Sequence, residues 1–299
     1  MTDRDSQILA FLHRAGRGNW SRAPLAGDAS ARRYERLTSP DGRSMILMDA
    51  PPGSGETIRP FVRIANYLRS LDVSAPAILS EDADNGLLLT EDLGDQRFYE
   101  VLEQDPSQEK PLYALATDFL VQLHKASDAT PLSGLDTLGP RGMAEMSSLV
   151  IERYCDAITG SANPDMKARF ENQFADILRD PVKGSMAVVR RDFHVQNLMY
   201  LPERNGLAQV GVIDFQDALI GHPAYDLVSL LQDARRDVPA AIEAQMINRY
   251  LQATGLDDSG FRSAYAVIGV QRNLRILGVF ARLSQDFGKP QYLELIPRV

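Results

Sequence analysis

One stretch constrains the fold of this chain more than any other: residues 186–217, where two apolar segments rich in β-branched residues deliver polar side chains. The first segment contains Asp192 and Asn197, and the second leads into Asp214. Residues 201–206, between the two segments, include Pro, Asn and Gly, which are typical of a hairpin loop. The stretch therefore predicts a small β-ribbon that carries one amide and two carboxylates.

The spacing of these three residues is typical of a catalytic loop for phosphoryl transfer. In such a loop one aspartate, here Asp192, orients the attacking hydroxyl and accepts its proton. An asparagine and a second aspartate, here Asn197 and Asp214, then hold Mg²⁺, which prefers hard oxygen ligands. The alternative is a set of ordinary polar loop residues beside buried strands. For any single aspartate that alternative is favoured, whereas the combined pattern favours a kinase-type site.

Residues 191–197 and 213–217 resemble the catalytic and metal-binding motifs of the aminoglycoside phosphotransferase family, which shares the protein-kinase-like fold. Further segments resemble one bacterial branch, which contains the anomeric N-acetylmuramate/N-acetylglucosamine kinases of peptidoglycan recycling. These segments are residues 27–34, 47–52, 91–95, 278–283, 288–293 and 296–298. The resemblance extends over nearly the whole chain.

The resemblance implies an α+β, bilobal protein-kinase-like fold, with a small β-rich lobe over residues 1–93 and a larger, mainly helical lobe over residues 94–299. It also implies a phosphotransferase that uses ATP and Mg²⁺ and has an alcohol group as acceptor. By branch resemblance, the acceptor is the anomeric hydroxyl of N-acetylmuramate or N-acetylglucosamine, which gives the sugar 1-phosphate. Two alternatives stay open: an aminoglycoside phosphotransferase, and a catalytically weak, pseudokinase-like ATP-binding scaffold.

Two places in the N-terminal lobe are candidates for nucleotide binding. Asp28, Ala29 and Ser30 lie in a loop of small residues between predicted strands, where backbone amides can approach a triphosphate closely. An ordinary hairpin turn has the same pattern. Glu91 and Leu93 resemble the hinge whose backbone reads the adenine edge, and the alternative is a strand end followed by a glycine turn.

The sequence departs from the superfamily pattern at two positions, and these departures motivate the scaffold alternative. Met48 stands where a kinase has the lysine that grips the α- and β-phosphates, which leaves Glu56 without its usual ion-pair partner. Arg32 and Arg33 are the nearest cations, and we predict that Arg33 contacts the nucleotide; a solvated strand face is the alternative. Arg190 replaces the usual histidine of the catalytic loop, a change that concerns local packing more than catalysis.

Candidate contacts with the acceptor are Glu145, His194, Gln216 and Asp217. By resemblance, the region around Glu145 helps to form the acceptor pocket. His194 can hydrogen-bond the sugar or a phosphate, or it can pack inside the loop. Asp226 resembles the family position that hydrogen-bonds the catalytic loop from behind; helix N-capping is the alternative, and the two roles can coexist.

A polar edge also runs along the helix predicted over residues 261–285, and it includes Arg275 and Arg282. Arg282 faces either the acceptor or the solvent, and the sequence does not decide between them.

The bulk properties exclude several classes of protein. The net charge of −8 argues against non-specific nucleic-acid binding, which needs a basic surface. No apolar run approaches the length of a membrane span, and the first residues are too polar for a signal peptide. A single cysteine, Cys155, fits a reducing compartment. We therefore expect a cytoplasmic monomer that acts on a small-molecule sugar, without a nucleic-acid or membrane partner.

Overall fold

The computed structural model describes residues 3–25, 32–129, 132–160 and 164–299, with the backbone alone for residues 128 and 129. The strands are β1 (Ser21–Leu25), β2 (Arg33–Thr38), β3 (Ser44–Asp49), β4 (Ile78–Asp82), β5 (Leu87–Glu91), β6 (Ala187–Val189), β7 (Leu198–Tyr200), β8 (Val210–Val212) and β9 (Leu219–Gly221). The helices are α1 (Asp3–Arg14), α2 (Arg59–Ser70), α3 (Phe98–Gln104), α4 (Glu109–Ala129), α5 (Pro140–Ser147), α6 (Asp156–Thr159), α7 (Pro164–Arg179), α8 (Ala224–Leu231), α9 (Ala240–Thr254) and α10 (Asp258–Phe287). A π-helical segment, Val150–Cys155, leads into α6, and short 3₁₀ segments are Pro106–Gln108, Val195–Asn197, Gly206–Gln209 and Pro290–Arg298.

The chain divides into two compact units. The first unit consists of residues 1–97 and 199–216, and the second consists of residues 98–198 and 217–299. The first unit contains β1–β5 in one sheet, and the second contains the helices from α3 onward, as an α+β fold requires. The lobe boundary after residue 93 stays a prediction. Within the described ranges, no helix combines the length and apolar character needed to span a membrane.

An antiparallel five-stranded sheet, in the order β1-β2-β3-β5-β4, is the framework of the first unit. Ile8, Phe11 and Leu12 recur at helical spacing on α1, and they are buried in one cluster with Leu37 and Leu47 of the sheet. Burial of each large apolar side chain contributes about 1.5–3 kcal/mol. The α1 stripe therefore holds this helix on the sheet.

The predicted β-ribbon is present only in part. β7 and β8 pair with each other, as the hairpin loop predicts. β6, however, pairs with β9, so Asp192 follows a different strand pair, and the prediction of one ribbon for all three polar residues is wrong. The chain leaves the extended conformation just after β6, because Arg191 has a φ of 72°, in the left-handed region.

The long helix α10 organises the second unit, where it packs against α5, α8 and the π-helical segment. Gly278 permits a close approach of α10 to the backbone at the start of the π-helical segment. A Cβ at this position would lie 2.5 Å from the carbonyl carbon of Leu149, so any larger residue would force α10 away from that backbone.

His222 precedes α8 and ties the stability of the second unit to pH. The ring is buried, and its Nδ1 accepts a hydrogen bond from the backbone N–H of Ala224 at 3.2 Å. Burial, with a smaller contribution from the nearby His124, lowers the pKa of His222 to about 4. The folded protein therefore favours the neutral ring, whereas the unfolded chain takes up a proton near pH 6.5.

We expect the contribution of His222 to stability to be complete above pH 6.5 and to be lost as the pH falls toward 4. At pH 5 the loss is about 2 kcal/mol in the free energy of unfolding. Denaturant unfolding at pH 7 and pH 5 tests this. The variant His222→Gln loses about 2 kcal/mol less than the wild type over this interval, and His13→Gln, on the exposed end of α1, loses as much as the wild type. Equal losses in all three proteins would contradict the assignment.

Candidate active site

Buried aromatic packing holds the start of the predicted catalytic loop. β6 is fully buried, and it delivers Arg190 into the interior with 1% of its surface exposed. The Arg190 guanidinium lies over the ring of Phe193 at 4.9 Å, and this ring in turn stacks on Phe119 at 5.4 Å. The arginine found in place of histidine is thus a packing residue, as the sequence predicted.

Asp226 holds the backbone of the same loop from behind. Its carboxylate is fully buried and accepts hydrogen bonds from the N–H of Arg190 at 2.7 Å and from the N–H of Arg191 at 2.9 Å. The N-cap position of α8 belongs to Pro223, which makes no side-chain cap bond. The role behind the loop is therefore confirmed, and the N-cap alternative is wrong.

The residues that follow are fixed in an unusual backbone conformation. Arg191 is in the left-handed region, and its carbonyl accepts a hydrogen bond from Nη1 of Arg272 at 2.7 Å. The N–H of Asp192 donates to the carbonyl of Arg190 at 2.9 Å. Non-glycine residues with positive φ cluster at functional sites, where the surroundings must maintain the strain. The local fold here thus fixes the position of one carboxylate.

Asn197 closes the loop onto Asp192. Its amide nitrogen donates to the carbonyl of Asp192 at 3.0 Å, and its backbone N–H donates to the carbonyl of His194 at 2.8 Å. Because the amide nitrogen is used within the loop, the side-chain atom suited to a hard cation is Oδ1. The structure thus brings Asp192 and Asn197 together, as the spacing predicted.

Charge around Asp192 keeps it ionised. Partial burial raises the pKa of this carboxyl, but the positive charges of Arg272, Arg275 and Arg191 outweigh burial, and the net pKa lies below the ordinary value. A carboxylate ionised at neutral pH can accept a hydrogen bond from a hydroxyl and take its proton late in a transfer.

His194 lies inside the loop rather than on its surface. The ring is buried, and its Nε2 is 3.4 Å from the side-chain nitrogen of Asn197. Burial, followed by the charge of Arg235, lowers the pKa of His194 to about 3, so the ring is neutral near pH 7. The packing role is therefore present, and contact with an acceptor stays a prediction.

A cavity of about 370 Å³ lies within the second unit, and it is rich in charge. Its charged lining residues are Glu145, Glu152, Lys167, Arg191, Arg275 and Arg282. Glu145 is thus placed at a cavity, although its carboxylate is bound by Nε of Arg141 at 2.7 Å. Lys167 is absent from the sequence-based candidates, because an α7 lysine gives no local signal of the cavity. The sequence does give a signal for Arg275 and Arg282, since a spacing of seven residues places both on one face of a helix.

Asp214 lies in the first unit, after β8, and it is exposed. Its φ of 55° is left-handed, and Phe215 beside it is buried against Phe61 of α2, with ring centroids 4.7 Å apart. Gln216 donates from its amide to Oδ1 of Asp214 at 2.8 Å. Gln216 therefore orients this carboxylate. Its contact with an acceptor stays a prediction, as does that of Asp217, which is exposed in the second unit.

Two arginines in the first unit have different partners. Arg32 forms an ion pair with Glu56, just ahead of α2. Arg33 binds the buried Asp49 at 2.7 Å, and its side chain is 63% exposed; its contact with the nucleotide stays a prediction. Met48, at the position where a kinase has its phosphate-binding lysine, is an uncharged and buried side chain.

The hydroxyl of Tyr34 lies within the electrostatic reach of Arg32, Glu56 and Asp214. Burial raises the pKa of Tyr34; Arg32 acts against this, and the charges of Asp214 and Glu56 add to it. A cation, its carboxylate partner and the exposed Asp214 therefore share one region of the first unit.

Two of the remaining nucleotide candidates lie at the end of an inner strand: Glu91 is the last residue of β5, and Leu93 follows it. The N–H of Glu91 donates to the carbonyl of Ala77 at 2.9 Å, and its carboxylate pairs with Arg204 at 2.6 Å. Leu93 is buried in a small apolar cluster with Met199 and Leu201. Contact of Glu91 and Leu93 with adenine stays a prediction. Three further candidates, Asp28, Ala29 and Ser30, lie outside the described residues.

Known proteins resemble this chain along most of its length. The profile of the phosphotransferase enzyme family matches residues 21–265. The N-acetylmuramate/N-acetylglucosamine kinase of Caulobacter vibrioides is 35% identical over 334 aligned positions, which cover 100% of this chain and 91% of that protein. The protein of the same name from Pseudomonas aeruginosa is 34% identical and covers 92% of this chain and 80% of its own length.

Among solved structures, the amicoumacin kinase hAmiN in complex with AMP-PNP, Ca²⁺ and Ami has a TM-score of 0.64 at 14% identity. The match covers 99% of this chain and 95% of that one. Similarity at this level of identity concerns the fold, and it confirms the predicted α+β, protein-kinase-like architecture.

Proposed function

The chain belongs to the phosphotransferase enzyme family, and from that membership we propose that it is an ATP-dependent amino-sugar kinase. Its acceptor is the anomeric hydroxyl of N-acetylmuramate or N-acetylglucosamine, and its product is the sugar 1-phosphate. The observation that carries the proposal is the 35% identity with the Caulobacter kinase over the whole of this chain. The ordered loop around an ionised Asp192 supports a competent enzyme rather than a scaffold.

In the proposed reaction, Asp192 accepts a hydrogen bond from the anomeric hydroxyl and orients it toward the γ-phosphorus of ATP. A new P–O bond forms as the bond to the β,γ-bridging oxygen breaks, and ADP leaves with that electron pair. The hydroxyl proton passes to the Asp192 carboxylate late in the transfer. An aspartate of low pKa suits this role, because positioning contributes more than basicity.

Asn197 and Asp214 are the residues that would hold Mg²⁺. The donor set fits: an amide oxygen fixed by the bond from the same amide to the Asp192 carbonyl, and a carboxylate oriented by Gln216. When bound, Mg²⁺ neutralises charge on the phosphates of ATP.

Arg32, paired with Glu56, supplies the positive charge for the triphosphate that a lysine at the position of Met48 supplies in other kinases. Glu56 lies three residues before α2, and its carboxylate pairs with the Arg32 guanidinium, as a glutamate pairs with the phosphate-binding lysine in protein kinases. Asp214, a proposed metal ligand, acts on the same Tyr34 hydroxyl as Arg32 does. We therefore propose that Arg32 binds the phosphates in place of Arg33, the residue favoured by the sequence analysis, because the Arg33 guanidinium is bound to Asp49. Asp28, Ala29 and Ser30 would be backbone contacts, and Glu91 and Leu93 would lie at the adenine.

We expect Arg32→Ala to raise the KM for ATP by about tenfold to a hundredfold, because charge-assisted hydrogen bonds to phosphate are lost. Arg32→Lys restores part of the affinity. The matched control is Arg33→Ala, which removes the neighbouring guanidinium from Asp49 and leaves the KM within about twofold. A larger effect at Arg33 than at Arg32 would assign the grip to Arg33 instead.

A direct assay tests the proposed reaction. The protein is incubated with ATP, Mg²⁺ and a panel of amino sugars and aminoglycosides, and products are followed by phosphorus-31 NMR. A glycosyl 1-phosphate supports the proposal. Phosphorylated antibiotic, with no sugar phosphate, would support an aminoglycoside phosphotransferase instead, and nucleotide binding without turnover of any acceptor would support a scaffold. We further propose that the protein acts as a monomer in the cytoplasm.

A further inference from the structure

The cavity in the second unit has an excess of positive charge. Its two carboxylates are already compensated, since Glu145 binds Arg141 and Glu152 binds Lys167. Arg191, Arg275 and Arg282 remain, and across the described part of the chain no carboxylate lies within 4.0 Å of their guanidinium groups. Arg191 and Arg275 also act on Asp192 at longer range, but within the described ranges none of the three guanidinium groups has a carboxylate in direct contact, so the cavity is suited to an anion.

The cavity also belongs to the surroundings of the proposed catalytic carboxylate. Arg191 and Arg275, which line it, are among the charges that lower the pKa of Asp192. Arg275, Val279 and Arg282 follow at helical spacing, so one face of α10 presents both guanidinium groups to the cavity. The opposite wall includes Leu149, whose backbone α10 approaches closely at Gly278. The anion-binding face is therefore built into a tightly packed part of the unit.

The two proposed acceptors differ in one anionic group. N-acetylmuramate carries a lactyl ether with a carboxylate on the sugar ring, and N-acetylglucosamine has a neutral hydroxyl at that position. Arginine binds carboxylates through paired N–H···O bonds, which are stronger than bonds between neutral groups. The geometry points to a carboxylate subsite: Arg275 and Arg282 bind the lactyl carboxylate and make the enzyme prefer N-acetylmuramate. This inference rests on the proposed function.

The experiment compares kcat/KM for the two sugars at saturating ATP. We expect the wild type to prefer N-acetylmuramate by at least about tenfold. Arg282→Gln lowers kcat/KM for N-acetylmuramate by about tenfold to a hundredfold and leaves the value for N-acetylglucosamine within about threefold. Arg275→Gln also removes a charge that acts on Asp192, so it lowers both values, and it lowers that for N-acetylmuramate at least about tenfold more. Arg282→Lys recovers part of the loss. The control is Arg262→Gln on the same helix, where the guanidinium binds Asp258 outside the cavity, and it changes neither sugar.

Equal losses for both sugars, a loss confined to the KM for ATP, or a wild type without preference would overturn the subsite. Calorimetric binding of the two sugars separates this inference from the proposed function. If the wild type phosphorylates neither sugar but binds N-acetylmuramate more tightly through Arg275 and Arg282, the proposed reaction fails and the subsite stands. If it binds neither sugar, both fail.

Discussion

Asp192→Asn is expected to lower kcat by about three orders of magnitude, the largest effect that we predict for any single substitution. The amide keeps the size of the side chain but cannot accept the proton of the attacking hydroxyl. It also removes the negative charge that Arg272 and Arg275 stabilise. The affinity for ATP should stay within about threefold, because positioning of the acceptor and binding of the nucleotide are separate steps.

The measurement pairs steady-state kinetics with nucleotide binding by calorimetry. Asp176→Asn, an exposed aspartate of α7 that binds Arg179, is the matched control and should retain wild-type activity. Loss of nucleotide affinity together with turnover would mean that Asp192 has a structural role.

The pH profile gives an independent check on the same residue. The ordinary pKa of an aspartate is about 4, and that of Asp192 is lower. Protonation of Asp192 therefore stops turnover only at a pH below this ordinary value. We therefore expect no fall in kcat between pH 7 and pH 5 from this group. A fall centred near pH 6 would show that another titrating group acts as the base.

The motif around Asp192 was predictable because its signal is local. Asp192 and Asn197 lie five residues apart, and a loop of that length brings them together with few alternatives. The β-ribbon prediction failed at Val189 because apolar, β-branched residues favour extended structure but do not reveal where a strand ends. There the left-handed Arg191 ends it, held by Arg272 and Asp226 from far along the chain.

Long-range ion pairs mark the limit of what the sequence alone can predict. Arg32 and Arg33 are neighbours of the same type, yet one binds Glu56 and the other binds Asp49. Arg33 lies opposite Asp49 in the register of β2 and β3, whereas Arg32 precedes β2, and the strand register that decides this cannot be read from composition. The sequence analysis did not identify Lys167 of the cavity in the second unit for the same reason, since only the packed structure places this residue beside Glu152.

Asp226 is the residue whose loss should be most costly to the fold of the catalytic loop. Its fully buried carboxylate accepts from two consecutive backbone N–H groups, and no water can replace it without reorganisation of the loop. In Asp226→Asn, only one side-chain oxygen remains, and the amide N–H group faces a backbone donor. One buried N–H therefore loses its partner, at a cost of about 1–3 kcal/mol.

We expect Asp226→Asn to lower the free energy of unfolding by about 2–3 kcal/mol and kcat by about tenfold to a hundredfold, because Asp192 follows directly on the two released amides. Ser229→Ala is the matched control: Ser229 lies one turn later on α8, it is fully buried, and its hydroxyl has no hydrogen-bond partner among the residues that the structure describes. That variant should keep wild-type stability and activity, since removal of an unsatisfied hydroxyl costs little. Denaturant unfolding and steady-state kinetics on both variants make the comparison, and an Asp226→Asn protein as stable and active as Ser229→Ala would show that these two hydrogen bonds do not position the loop.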